Sequence, residues 1–514
     1  MSRSAVVLGT AGTSPDDVLA VARGGARVEI STAATEAMAR SRAVVDDLAR
    51  AAEPVYGVST GFGALARTHI PVADRAQLQR SLVRSHAAGM GEPVEREVVR
   101  AMQFLRLRTL CTGGTGVRPV VADTMAALLN AGLTPVVLEH GSLGCSGDLA
   151  PLAHCALALM GEGEVVDAAG TRRPAAVAMA DHGIAPIELR EKEGLALING
   201  TDGMLGMLLM ALADMRGLLD LADLAAAMSV EALLGTDRVF APELHGALRP
   251  HPGQAASAAH ILALLAGSPL VASHREGDER VQDAYSLRCA PQVHGAARDT
   301  LDHAATVADR EIAACVDNPV VLPSGEVRSN GNFHGAPLGY VMDFLAIAAC
   351  DVASISERRT DRMLDPDRSV GLPAFLAGSP GVDSGLMIAQ YTQAAIVSEL
   401  KRLAVPASAD SIPTSAMQED HVSMGWSAAL KLRRAVDNLR RILAVELACA
   451  ARGLDLRAPL RPSPAAAAVI DALRARVDGV GPDRWLAPEL AAVEELLGDG
   501  TIRSAAESVT GPLP

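Results

Sequence analysis

Aromatic residues are scarce in this chain: only 2% of its 514 residues are Phe, Tyr or Trp, although 49% are apolar. A core with so few rings has to be filled by Ala, Leu, Val and Met, side chains that suit closely set helices, and abundant Ala and Leu favour helix by intrinsic propensity as well. Basic runs are missing too. The 46 Lys and Arg stand against 60 Asp and Glu, a net charge of −14. Such a surface is repelled by phosphate backbones, so DNA and RNA are excluded as expected partners. The seven cysteines are odd in number and include no CxxC pair. That argues against a disulfide framework and for reduced thiols, hence a cytoplasmic location.

A membrane partner is not expected either. The most apolar stretch, Met204 to Ala213, runs into Asp214, Arg216, Asp220 and Asp223 and reads as a buried bundle helix. Ala5 to Leu8 is too short for a secretory core. From about 201 to 453 apolar residues recur at three- and four-residue spacing, as in Val341, Phe344, Leu345, Ala348, Val352 and Ile355, and again from Trp426 to Arg452. The expected fold is mainly α: a long-helix bundle with a smaller mixed N-terminal region. The expected divisions are 1–200, 201–455 and a C-terminal cap, 456–514, with two short helices. A helix is predicted from Ser31 or Thr32 to Ala52, after a short strand-and-turn lead-in.

The stretch Gly141 to His154, G-S-L-G-C-S-G-D-L-A-P-L-A-H, stands out. Cys145-Ser146-Gly147 has what a backbone self-cyclisation needs: a carbonyl behind a small side chain, a Ser that can lose its hydroxyl, and a Gly whose unhindered amide can attack. Loss of two waters would leave a methylidene-imidazolone. A bare S-G-D is also an ordinary turn, in which Asp148 would cap a helix from Leu149 to Met160.

Other clusters have bland readings of their own. Tyr56, in the glycine loop Y-G-V-S-T-G-F-G, could be an aromatic plug; His86, in S-L-V-R-S-H, a structural hydrogen-bonder; Asn199, in L-I-N-G-T, a turn residue. Gln282, Tyr285 and Arg288 fall at three-residue intervals, on one face if helical. Cys111 to Pro119, C-T-G-G-T-G-V-R-P, lacks the G-K-[ST] ending of a phosphate loop, so no nucleotide is expected. No metal is expected: His140, Cys145, His154 and Cys155 have no usual ligand spacing, and consecutive Glu419, Asp420 and His421 cannot readily point one way.

Six of these motifs, in one order between about residues 50 and 455, resemble those of the histidine and aromatic amino acid ammonia-lyases. The resemblance implies a fumarase/aspartase-like central bundle and a prosthetic group, 4-methylidene-imidazol-5-one, formed from Cys145-Ser146-Gly147 without metal or nucleotide. The family more often has Ala at the position of Cys145, which lends only backbone to the ring. The implied catalytic residues are Tyr56 as the base for the β-proton, Cys145, Ser146 and Gly147, Tyr285 beside the prosthetic group, and Glu419. The implied substrate contacts are His86, Asn199 near the amine, Gln282, Arg288 on the carboxylate, and Phe333 against the ring. Ser85-His86 and Q-E-D-H-V-S resemble the branch acting on histidine, although Met417 replaces a common Asn. The implied reaction is deamination of L-histidine to trans-urocanate and ammonia, the first step of histidine breakdown, in a homotetramer with shared active sites. The alternatives are a phenylalanine or tyrosine lyase or aminomutase on the same scaffold, and a non-catalytic helical assembly protein.

Overall fold

The computed structural model describes residues 5–51, 55, 57–61, 68–278 and 280–513. Helices dominate, as the composition requires. The four longest are Asp202–Ala232, Ala290–Ala313, Ala336–Leu364 and Gly425–Asp455. The first has 31 residues, about 46 Å at 1.5 Å per residue. It buries Met204, Leu208, Met210, Met215, Leu219, Ala222, Ala226 and Met228, the ring-free core that scarce aromatics imply. Helices Glu193–Ala232 and Ala336–Leu364 are long and apolar enough to cross a membrane; the apolar window of the first is 100% buried in the protein and that of the second 61%.

The described chain forms two compact units, 1–211 with 304–343 and 406–430, and 212–303 with 344–405 and 431–514. Four of the five breaks between them fall inside the long helices, and the fifth, at 405/406, follows helix Met387–Leu403.

In the first unit, Ala5–Leu8 and Arg27–Ile30 pair in parallel, and helix Pro15–Ala22 connects them. The lead-in is therefore more regular than predicted. Ser14 and Asp17 form a reciprocal capping box that starts this helix directly at Pro15. The next helix, Thr32–Arg50, begins where expected, with the Ser31 hydroxyl accepting from the Ala34 amide. Helix Arg96–Cys111 is the unit's axis, buried at every residue from Val98 onward. Two of its buried arginines donate to carbonyls at helix ends. Arg100 donates to Val21, Ala22 and Leu129 oxygens, and Arg108 to Ala313 and Ala314. Those C-termini carry partial negative charge, so the cations sit where the helix dipoles favour them.

The second unit contains Leu212–Ala232, Phe344–Leu364 and Lys431–Asp455 of the long helices, and the tail. Two expectations need correction here. The predicted stripe is half right: Val341, Leu345 and Val352 are buried, but Phe344 is 46% exposed and Ala348 and Ile355 are only half-buried, and the buried line continues through Ala349 and Ser356. Spacing identified the helix but not which flank of the apolar arc faces inward. The tail holds three helices rather than two, Pro464–Arg474, Ala487–Gly498 and Thr501–Thr510. Gly500, at φ +83, lets the last two follow each other with hardly a loop.

Candidate active site

The loop ahead of helix Leu149–Leu159 is held by dense polar contacts within the first unit. Gly147 has φ +74, and a Cβ there would lie 2.3 Å from the Gly200 carbonyl oxygen, so no other residue fits. The Asp148 amide donates to that same oxygen at 2.7 Å. Ser142 donates to the Asp148 carboxylate at 3.0 Å and accepts from the Gly144 amide at 3.1 Å.

Asp148 does not cap its own helix through its side chain, as the sequence suggested. Its carboxylate instead accepts from the Gly203 and Met204 amides at 2.9 and 3.0 Å, at the start of helix Asp202–Ala232. One residue thus joins two helix beginnings. Burial pushes its pKa up to about 7, against those amides and Ser142, which pull it down.

Asn199 is buried beside this loop and donates through Nδ2 to both the carbonyl oxygen and the hydroxyl of Ser146, each at 3.1 Å. Its Oδ1 is buried without a hydrogen-bond partner among the described residues. A buried acceptor of this kind is costly unless a ligand satisfies it. Arg106 steadies the turn by donating to the Asn199 carbonyl at 2.9 Å.

Two more segments reach the loop. The Ser423 hydroxyl donates to the Gly144 carbonyl at 2.6 Å, and the Gly335 amide donates to the same carbonyl at 2.8 Å. The second bond ties down N-G-N-F-H-G, which carries half-buried Phe333; the neighbouring His334 ring stacks on His421 with centroids 5.8 Å apart. Glu419 is half-buried, and its Oε2 accepts from Thr414 Oγ1 at 2.8 Å and from the Cys145 thiol at 3.5 Å. Just before it Ser415, Ala416 and Met417 all have positive φ, from +51 to +67. Three consecutive side-chain-bearing residues in this region are strained, which marks the turn as held by its surroundings.

His86 ends helix Arg75–His86, with Nδ1 2.9 Å from the Leu82 carbonyl, which fixes the proton on Nδ1 and leaves Nε2 as the acceptor. Burial lowers its pKa; the Leu82 bond and the nearby Glu419 charge oppose that.

In the second unit, Tyr285–Arg288 is a single helical turn. Gln282 lies before it and is exposed, so the three residues do not share one helical face as the spacing suggested. The Arg288 guanidinium lies 4.5 Å from the Tyr285 ring centroid, and its Nε donates to the Asp283 carbonyl at 3.0 Å. Its two terminal nitrogens have no partner among the described residues, and Tyr285 is 71% exposed. Tyr56, the expected base, lies outside the described residues.

The tripeptide Cys145-Ser146-Gly147 is therefore contacted by Glu419 through Cys145 and by Asn199 through Ser146, and the charge of Glu419 also acts on His86. Sequence reasoning missed Ser142 and Ser423 and the second role of Asp148. Ser423 ends the Q-E-D-H-V-S string, so its signal was present; nothing in the spacing links Asp148 to Gly203.

The chain is mainly helical and packs a Cys-Ser-Gly turn against a buried amide and a carboxylate. The chain belongs to the aromatic amino acid lyase family, whose model matches residues 13–475. It is 69% identical to a histidine ammonia-lyase of Streptomyces avermitilis over 509 residues, 99% of each chain, and 50% identical to one of Gloeobacter violaceus over 99% of this chain and 98% of that one. Among solved structures it is similar to a tyrosine aminomutase from Streptomyces globisporus, with TM-score 0.93 and 37% identity over 99% of this chain and 100% of that one. The histidine ammonia-lyase from Trypanosoma cruzi gives TM-score 0.90 and 39% identity over 98% and 95%.

Proposed function

We propose that this chain is a histidine ammonia-lyase, eliminating ammonia from L-histidine to give trans-urocanate. The observation that carries the substrate reading is that Glu419, which accepts from the thiol of Cys145, is in the same unit as His86 and acts on it by its charge. An imidazole with a free acceptor nitrogen and a carboxylate together offer the complement of a second imidazole, which both donates and accepts. The identity to relatives named for this activity supports the same reading over the tyrosine and phenylalanine alternatives.

The residues at 145–147 fit a self-formed methylidene-imidazolone. Gly147 has no Cβ to block approach of its amide, and Asn199 donates to both oxygens of Ser146, the residue that must lose its hydroxyl. The ring would supply an electrophile that makes the substrate's amine a better leaving group. The rest falls to side chains. Arg288, with two free terminal nitrogens, holds the carboxylate in a bidentate fork. Asn199 Oδ1 accepts from the amine, and His86 and Glu419 orient the imidazole. Tyr56 takes the β-proton, the C–H pair becomes the C=C bond, and nitrogen leaves with the C–N pair. Tyr285 stands beside the leaving amine. A cytoplasmic homotetramer with shared sites completes the proposal; the 71% exposure of Tyr285 within one chain is consistent with a residue that serves a neighbour.

Intact mass and a three-substrate assay test this. The purified chain should weigh two waters less than its sequence, and should form urocanate from histidine but little product from tyrosine or phenylalanine. Ser146→Ala should have the full encoded mass and no turnover. Turnover of tyrosine alone would overturn the substrate, and a fully active Ser146→Ala the mechanism.

A further inference from the structure

Glu446 and Arg359 form a wholly buried ion pair in the second unit, outside every motif of the sequence. The Glu446 carboxylate accepts from Arg359 Nε at 2.5 Å and Nη2 at 2.8 Å, from Ser356 Oγ at 2.5 Å and from Ser229 Oγ at 2.7 Å. Four donors satisfy both oxygens and lock the guanidinium plane. The remaining arm, Nη1, donates to the carbonyl of Ser286 at 3.3 Å. Ser286 sits between Tyr285 and Arg288 in the one-turn helix, where carbonyls have few partners within the helix itself.

A buried ion pair is a poor way to stabilise a core, because desolvation offsets most of the attraction and apolar residues of equal volume often do as well. What apolar residues could not supply is the fifth donor aimed at this turn. We propose that Arg359 is a positioning residue: held rigid by Glu446, it fixes the Tyr285–Arg288 turn so that Arg288 keeps its free fork in place for the substrate carboxylate. This inference rests on the carboxylate role proposed for Arg288 above.

The double variant Arg359→Met/Glu446→Leu removes both charges together and keeps the volume, so no orphaned charge is left in the core. It should assemble, melt close to the wild type and retain the mass deficit of two waters. Its KM for L-histidine should rise about tenfold, the effect of one lost contact to a charged group, with a much smaller change in kcat. Inhibition by histamine, which has the imidazole and amine but no carboxylate, should be unchanged. Arg359→Lys keeps the buried charge opposite Glu446 but has no second arm for Ser286; it should fold and show the same rise in KM, and it decides the matter if the double variant does not fold. A wild-type KM in either folded variant, or an equal loss of histidine and histamine binding, overturns the inference. A wild-type protein that does not turn over histidine would instead overturn the function proposed above.

Discussion

The thiol of Cys145 lies 3.5 Å from Oε2 of Glu419 and donates to it. Burial, reinforced by the Glu419 charge, pushes the thiol up to about 12, so it keeps its proton at any pH at which the protein would work. The first residue of the tripeptide proposed to cyclise is thereby tied to the residue proposed to meet the far end of the substrate. Thr414 donates to the same carboxylate oxygen at 2.8 Å, so the sulfur is a second and weaker support.

Cys145→Ala tests how much that support matters. Ring closure uses only the backbone of residue 145, so the variant should still weigh two waters less than its encoded mass. Losing one weak donor should lower kcat/KM for histidine about two- to fivefold, as a net hydrogen bond of up to about 1 kcal/mol implies. A variant at its full encoded mass would mean that the side chain assists cyclisation.

Lys192 and Asp317 form a second buried pair, 2.5 Å apart with both side chains fully enclosed in the first unit. Asp317 also accepts from the Asn318 amide at 2.8 Å, and next along the chain Pro319 lies where a Cβ on Gly57 would come within 2.9 Å of its ring. The pair therefore supports the turn against which Gly57 packs. Lys192→Met leaves the carboxylate buried alone and should destabilise the protein by about 3–5 kcal/mol. Lys192→Met/Asp317→Asn should recover much of that loss. Urea unfolding of the three proteins checks the order, and a double variant less stable than the single one would contradict it.

Local features were legible in the sequence. Ser31 starts its helix, and Gly144 and Gly147 adopt positive φ, because both properties depend on a few neighbouring residues. The mainly helical class followed from composition, since so few rings cannot fill another kind of core. Long-range partners were not legible. Asp148 looks like the cap of the next helix and instead serves one that begins over fifty residues later, because its carboxylate can reach either set of free amides and tertiary packing chooses. Phe344 looks like core on spacing alone and is exposed, because a period of three to four residues defines an arc wider than the face actually covered. Glu446 and Arg359 carry no local signal: two charges some ninety positions apart look like any solvated pair until the fold encloses them.

The pKa of Asp148 makes a prediction with a definite sign. The unfolded chain releases this proton near pH 4, whereas the fold holds it to about 7. Between those values the native state binds more protons than the unfolded state, so this residue's contribution to stability falls as pH rises and levels off above about 7. Over three pH units the full loss approaches about 4 kcal/mol. Asp148→Asn cannot titrate. The unfolding free energy of the wild type minus that of the variant should therefore decline from pH 4.5 to about 7 and then flatten towards pH 8, measured by urea titration at each pH. Glu231, also pushed up to about 7 by burial, is present in both proteins and cancels in the difference. Parallel curves would mean that Asp148 is ionised throughout, with its amide donors outweighing burial.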